Sequence, residues 1–219
     1  MSISRFILLL ALTLGSLAVA YGQVLDISSG GAPTITGSIG GSVTGSSSVA
    51  SDLVVTINFG ELSPANPNSN VKVTVPIALR SHGPYQVTVT YSGTTSANPQ
   101  ALQRSDIGFG INNWRPLGSQ ARVCNSPHIM YSPFSNDPST NITLSASGRA
   151  QYVSDLADVA TSTMILSGPR LSNNNNGTRQ PNDGYIFDAV FVVTPQFYAT
   201  GATSATLIFT ISTGPNVPC

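Results

Sequence analysis

Alternation constrains this chain more than any other feature. In "LVVTINF", Leu53, Val55, Ile57 and Phe59 share one parity, and Val54, Thr56 and Asn58 share the other. In "VKVTVPIAL", Val71, Val73, Val75, Ile77 and Leu79 alternate with Lys72, Thr74, Pro76 and Ala78. "YQVTVTY" repeats the pattern with Tyr85, Val87, Val89 and Tyr91. Successive side chains on a strand point to opposite faces, so this period of two predicts half-buried strands. "YIFDAVFVV" is apolar on both parities and reads as a central strand, with "SATLIFTIS" following after a turn-rich stretch. Weaker strands are predicted at "ITLSA" (142–146) and "STMILSG" (162–168).

Loops rich in Gly, Pro, Asn and Ser separate these segments, such as "GELSPANPNSN" and "NSPHIMYSPFSNDPST". Many short alternating strands with such loops predict an all-β fold, an antiparallel β-sandwich. Pro76 lacks a donor N–H, which places it at an edge or a bulge. In "QYVSDLADVA", Val153, Leu156, Ala157 and Ala160 fall at helical spacing, predicting one short helix or helical turn.

The start of the chain reads differently. Arg5 followed by "FILLLALTLGSLAVA" has the positive start, apolar middle and small-residue end of a secretory signal peptide. Cleavage after Ala20 or Gly22 fits, so residues 1–22 are expected to be removed. The run is short for a membrane anchor. The mature product is expected to be secreted or at the cell surface, without a transmembrane anchor.

Residues 23–50 form a Gly/Ser-rich N-terminal extension with almost no charge and no large core residues. Read plainly, it is a flexible linker or a first strand of the domain that follows at 51–219. Ile35, Ile39 and Val43 nevertheless share one parity with Gly37 and Gly41, a sparse apolar comb.

Charge excludes some classes of function. Lys and Arg number 9 against 9 Asp and Glu, and removing Arg5 with the leader leaves 8 against 9. No basic face is available for nucleic acid or an anionic membrane. Few charges remain to repel a neighbouring copy. Cys124 and Cys219 are the only cysteines. In an exported chain a disulfide between them is the default. It would close a loop of about 96 residues and contribute about 4–5 kcal/mol in the chain-entropy picture. Two free thiols or an intermolecular link are the alternatives.

"RSDIGFGINNWRPLG", residues 104–118, is the most site-like stretch. As a strand, "DIGFGI" points Ile107, Phe109 and Ile111 one way and Gly108 and Gly110 the other. The glycine lane suits an aromatic ring, another strand or a sugar face, because glycine in a strand marks close approach. "NN" is expected to turn the chain before Trp114. One reading sets Trp114, Arg115 and Asp106 on an exposed rim as a ligand surface, with carbohydrate as the ligand. The other packs the strand into the sandwich. Trp114 then covers one end of the core, while Asp106 caps a turn or pairs with an arginine.

No chemical constellation stands out. "GFGINN" lacks the third glycine and the βαβ setting of a phosphate cradle. No G-x-S-x-G occurs, and Ser81 beside His82 faces the opposite side of any strand. His82 in "RSHGPY" reads as a turn residue. Cys124 and His128 are spaced C-x3-H, but with His82 and Cys219 they form no second close-spaced pair. Exported cysteines pair with each other first, so no metal and no cofactor are expected. Asp155 and Asp158 read as turn or surface carboxylates rather than a glycosidase pair. "NNNNGTRQPNDG" holds oxygen ligands but no complete calcium loop. Asn141-Ile-Thr and Asn176-Gly-Thr are glycan acceptors where the host makes that modification.

"INFGELSPANPNSNVKVTVPIALRSHGPYQVTVTYSG" resembles bacterial spore-coat U-type and fimbrial-subunit domains. An F-G, a Pro/Asn loop, a strand, a short turn and a strand ending in alternating threonines carry the likeness. "YATGATSATLIFTIS" is similar to their closing strand. Those families carry a cysteine after the F-G loop, where this chain has Leu79 and Arg80. The resemblance implies an immunoglobulin-like sandwich that builds surface fibres or coats. It also implies copies of the chain, or other surface subunits, as partners by strand addition, with Ile35, Ile39 and Val43 suited to the donated strand. The expectation is a secreted, non-enzymatic structural or adhesive protein. A carbohydrate-binding module using Trp114 is the alternative.

Overall fold

The computed structural model describes residues 25–47, 49–93, 96–117, 128–171, 184–199 and 201–215. It contains thirteen strands: β1 (Leu25–Ser29), β2 (Thr34–Thr36), β3 (Ser42–Ser46), β4 (Asp52–Asn58), β5 (Val71–Ser81), β6 (Tyr85–Tyr91), β7 (Gly108–Pro116), β8 (Ile129–Met130), β9 (Thr143–Leu144), β10 (Ala150–Gln151), β11 (Thr163–Gly168), β12 (Tyr185–Val193) and β13 (Ser204–Thr213). One 3-10 turn, Arg104–Asp106, precedes β7. Two antiparallel sheets pack face to face. In sheet one, β1 and β2 share an edge against β5, followed by β12 and β7. Sheet two runs β3-β4-β13-β6-β11-β8, and β9 and β10 form a small separate hairpin.

The alternating residues meet between the sheets. Leu53, Val55 and Ile57 of β4 and Val71, Val73, Val75, Ile77 and Leu79 of β5 are buried on their predicted parity, and Leu207, Phe209 and Ile211 of β13 are buried with them. Phe209 joins the layers, with its ring 6.4 Å from both Phe109 and Phe187 of the opposite sheet. All nine residues of β12 are buried. The inner parity faces sheet two. The outer parity, including Val190 and Val192, lies under an excursion of the chain between β8 and β11. That second cover explains why β12 is apolar on both faces.

Pro76 lies within β5, a strand paired on both sides. Its edge partner is interrupted there: Gly30 N donates to Pro76 O at 2.8 Å, in the loop between β1 and β2. The missing donor therefore faces a break in the edge, so no ladder bond is lost.

Residues 25–46 are strands of this same sandwich. β1 and β2 pair with β5, and β3 pairs with β4. Ile35 lies opposite Val73 and Val43 opposite Ile57, both half-buried against the core, while Ile39 is exposed between them. The described sandwich thus starts at Leu25 rather than at residue 51. The comb is used within its own chain, because backbone pairing at a sheet edge needs few apolar side chains.

The helical spacing at 151–160 does not produce a helix. Asp155 instead forms an antiparallel bridge with Gly108, which competes for the backbone a helix would use. Leu156 and Val159 are buried, and Val153 is exposed. Among the described residues no helix is long and apolar enough to cross a membrane.

Candidate functional site

The stretch 104–116 runs as the 3-10 turn and β7. Phe109 and Ile111 face the core, and the Phe109 ring stacks on Phe191 at 5.1 Å. The glycine lane is covered from within. A Cβ at Gly108 would come 2.6 Å from Tyr152 Cδ1, and one at Gly110 would come 2.4 Å from Asn136 O. The aromatic ring that the lane accepts belongs to this chain. Tyr152 is held by Thr194, whose N–H donates to the phenol oxygen at 3.0 Å. Burial raises the Tyr152 hydroxyl above its ordinary range. The outer edge is sealed too over residues 107–111: Phe109 N donates to Ser154 O, Ile111 N to Phe134 O, and Leu156 N to Ile107 O.

"NN" does not turn the chain. β7 continues through a register shift opposite the step from Ile186 to Asp188, with Asn113 at φ 56. Asn tolerates this left-handed conformation better than most residues. The extra residue reverses parity. Before it, odd-numbered residues face the core; after it, Trp114 does. Trp114 is half-buried and stacks on Tyr185 at 4.9 Å and 14°, with His128 at 5.1 Å. It covers one end of the core.

Asp188 anchors the bulge. Its carboxylate accepts from Asn113 Nδ2 at 2.6 Å and from Arg115 Nη2 at 2.9 Å. Asp106 stands at the other end of β7, 2% exposed, and accepts from Gln103 N at 2.8 Å and Arg149 Nη1 at 2.5 Å. It both caps the turn and pairs with an arginine. Trp114 and Arg115 are neighbours, but Asp106 lies about 25 Å away along the strand at ~3.3 Å per residue. The expected three-residue rim is not assembled. Arg104 donates to Leu156 O and Val159 O and lies over the Tyr91 ring at 4.8 Å.

His128 links the aromatic end to the body. Its Nδ1 is 2.8 Å from the Tyr85 hydroxyl, and burial lowers its pKa to about 4. Burial raises the Tyr85 hydroxyl well above its usual range. Sequence reasoning did not identify Arg149, Tyr152, Tyr185 or Asp188 as partners of this stretch. Asp188 had a signal, being the one charge inside "YIFDAVFVV". The others had none, because their partners are distant in sequence.

The remaining candidates are scattered. His82 lies in the turn between β5 and β6. Asp158 accepts from Asp155 N, and Asp155 accepts from Ala157 N, so the two carboxylates tie a turn. Burial raises the Asp155 pKa. Asn141 is exposed at φ 57 before β9. Cys124, Cys219, Asn176 and the asparagine run lie outside the described residues. Among the described residues no three His, Cys, Asp or Glu side chains gather as a metal site. No family model, curated protein or solved structure matches this chain.

Proposed function

We propose that this chain is an exported, non-enzymatic β-sandwich with a structural or adhesive role at a cell surface or in the matrix around it. The outward face of sheet two carries this reading. Across β3, β4, β13 and β6 it presents Ser42, Thr44, Thr56, Thr206, Thr88 and Thr210 among other uncharged residues, and Asp52 is its one charge. Thr56 and Thr206 hydroxyls meet at 3.1 Å across the strands. A face of hydroxyls and methyls packs against a neighbouring surface with less desolvation cost than a charged face and with little repulsion. Arg104, Asp106, Asn113 and Arg115 support the same reading, because they are engaged in holding the fold.

The test is export from an expressing cell with the leader intact, followed by surface labelling and attachment assays. N-terminal sequencing should find the product starting at Tyr21 or Gln23. Thr56→Lys with Thr88→Lys should weaken attachment while leaving the thermal melt nearly unchanged. Retention inside the cell, or turnover in a broad hydrolase panel that one substitution abolishes, would overturn the proposal.

A carbohydrate-binding role has one observation in its favour, at a different place from Trp114. Phe197 is 89% exposed beside an open cavity of about 650 Å³ that Glu61, Pro64, Gln196 and Tyr198 help to line. Exposed aromatic faces stack on sugar rings. Glycan binding that is lost on Phe197→Ala would favour this role.

A further inference from the structure

We infer that β3 pairs with β3 of a second copy, joining two sandwiches through a continuous sheet two. A bare strand edge offers unpaired N–H and C=O groups to any extended chain, and folds blunt such edges with charge, proline, bulges or covering segments. Three edges here are blunted. β7 is bonded over residues 107–111 by residues 134–156, and a bulge interrupts it beyond that. The β1/β2 edge is broken by the loop that carries Pro33. β11 is covered by β8 and by Tyr131 N, which donates to Ile165 O at 2.9 Å. β3 has no such device among the described residues. It is exposed along most of its length, and residues 37–51 contain no charge.

The sequence of β3, "SVTGS", is complementary to itself when reversed. An antiparallel pair centred on Thr44 sets Thr44 against Thr44, Ser42 against Ser46, and Val43 against Gly45. Residues opposite one another share a face, so Val43 of the second copy comes down beside Gly45 on the core side. Room exists there. A Cβ at Gly45 would have its nearest neighbours 4.0 Å away, at Leu53 Cδ1 and Val54 O. A cavity of about 380 Å³ opens at this edge between the sheets, lined in part by Pro33, Val43, Gly45, Leu53, Val55 and Val75. By symmetry each copy fills the other's gap. Ile39 and Val49, which flank β3, are 45% and 54% exposed in the single chain. A two-fold, self-complementary interface closes on itself and gives dimers, whereas head-to-tail strand donation gives open filaments. The inference goes beyond the structural or adhesive role, since the pairing needs no other ligand.

Sedimentation equilibrium of the purified mature chain, without any ligand, tests it. The expected result is a reversible monomer–dimer equilibrium. Thr44→Lys sets two ammonium groups against each other at a pair whose Cα atoms are about 4.5–5.5 Å apart. It should raise the dimer dissociation constant at least tenfold and leave the melting temperature of the monomer nearly unchanged. Thr44→Cys should trap a cross-linked dimer under mild oxidation, and Thr88→Cys, in the middle of the same sheet, should not. A chain that stays monomeric to millimolar concentration, a dimer indifferent to Thr44→Lys, or equal cross-linking at Thr44 and Thr88 would overturn it.

Discussion

Tyr152 rests directly on Gly108, with Cδ1 2.6 Å from where a Cβ would stand. The glycine is there because an aromatic ring from a segment more than forty residues later needs the space. Gly108→Ala should cost about 1–3 kcal/mol by overpacking, read as a fall in thermal midpoint. Gly148→Ala, where nothing lies within 4 Å, measures instead the backbone strain of a left-handed φ (+79), which Gly108 does not have. A Gly108→Ala protein as stable as the parent would show that the cover does not bear on the strand.

Asp188 and Arg115 differ in exposure, at 9% and 35% of their side chains. Removing the arginine leaves a carboxylate that solvent barely reaches with the Asn113 hydrogen bond but no counter-charge. Removing the carboxylate frees a guanidinium that turns to water. Arg115→Met should therefore destabilise more than Asp188→Asn, by up to about 3 kcal/mol. Chemical denaturation of both variants decides it, and the reverse order would refute the assignment of Asp188 as the buried partner.

His128 makes the fold acid-sensitive. Burial lowers its pKa to about 4 in the folded chain, against an ordinary value of 6.5. Between those values the unfolded chain binds the proton that the folded one refuses. Stability is thus unaffected by this group above pH ~6.5, falls as pH drops from ~6.5 to ~4, and levels off below. Asp155, whose pKa burial raises, works in the opposite direction as it takes up its proton. Asp137 adds to acid loss at lower pH. Burial alone would raise it, but hydrogen bonds from Lys72 and Ser139 hold it below its usual range. Thermal midpoints at pH 7, 5.5 and 4 for the parent and His128→Phe separate these contributions. The variant should lose less stability between pH 7 and 4.

Phe209 touches aromatic rings of the facing sheet at two points. Phe209→Ala should cost about 3–5 kcal/mol, the usual loss for a buried aromatic. Equilibrium unfolding measures it. A loss under 1 kcal/mol would mean that the sheets are not joined there.

How legible the chain was depends on the range of the interaction. β4, β5, β6 and β13 are visible in their alternation, because a strand between water and core must alternate, and β12 is visible in its unbroken apolar run. The break at Pro76 was half visible: proline announces a missing donor, but not that β1 ends beside it. "NN" was misread as a turn. Asn113 has the conformational preference of a turn residue, and only the register with β12 shows a bulge. The ligand rim of Trp114, Arg115 and Asp106 was drawn from adjacency in sequence, whereas β7 separates its ends.

By itself the sequence determined which residues of the alternating strands face inward, since the period of a strand is set by backbone stereochemistry within a few residues. It also determined that few charges would be left outside. Only the tertiary structure decided which partner each charge and each glycine has. Asp106 finds Arg149, Arg115 finds Asp188 and Gly108 finds Tyr152 across tens of residues. Such pairings follow from how the strands are ordered in the sheets, which no local pattern encodes.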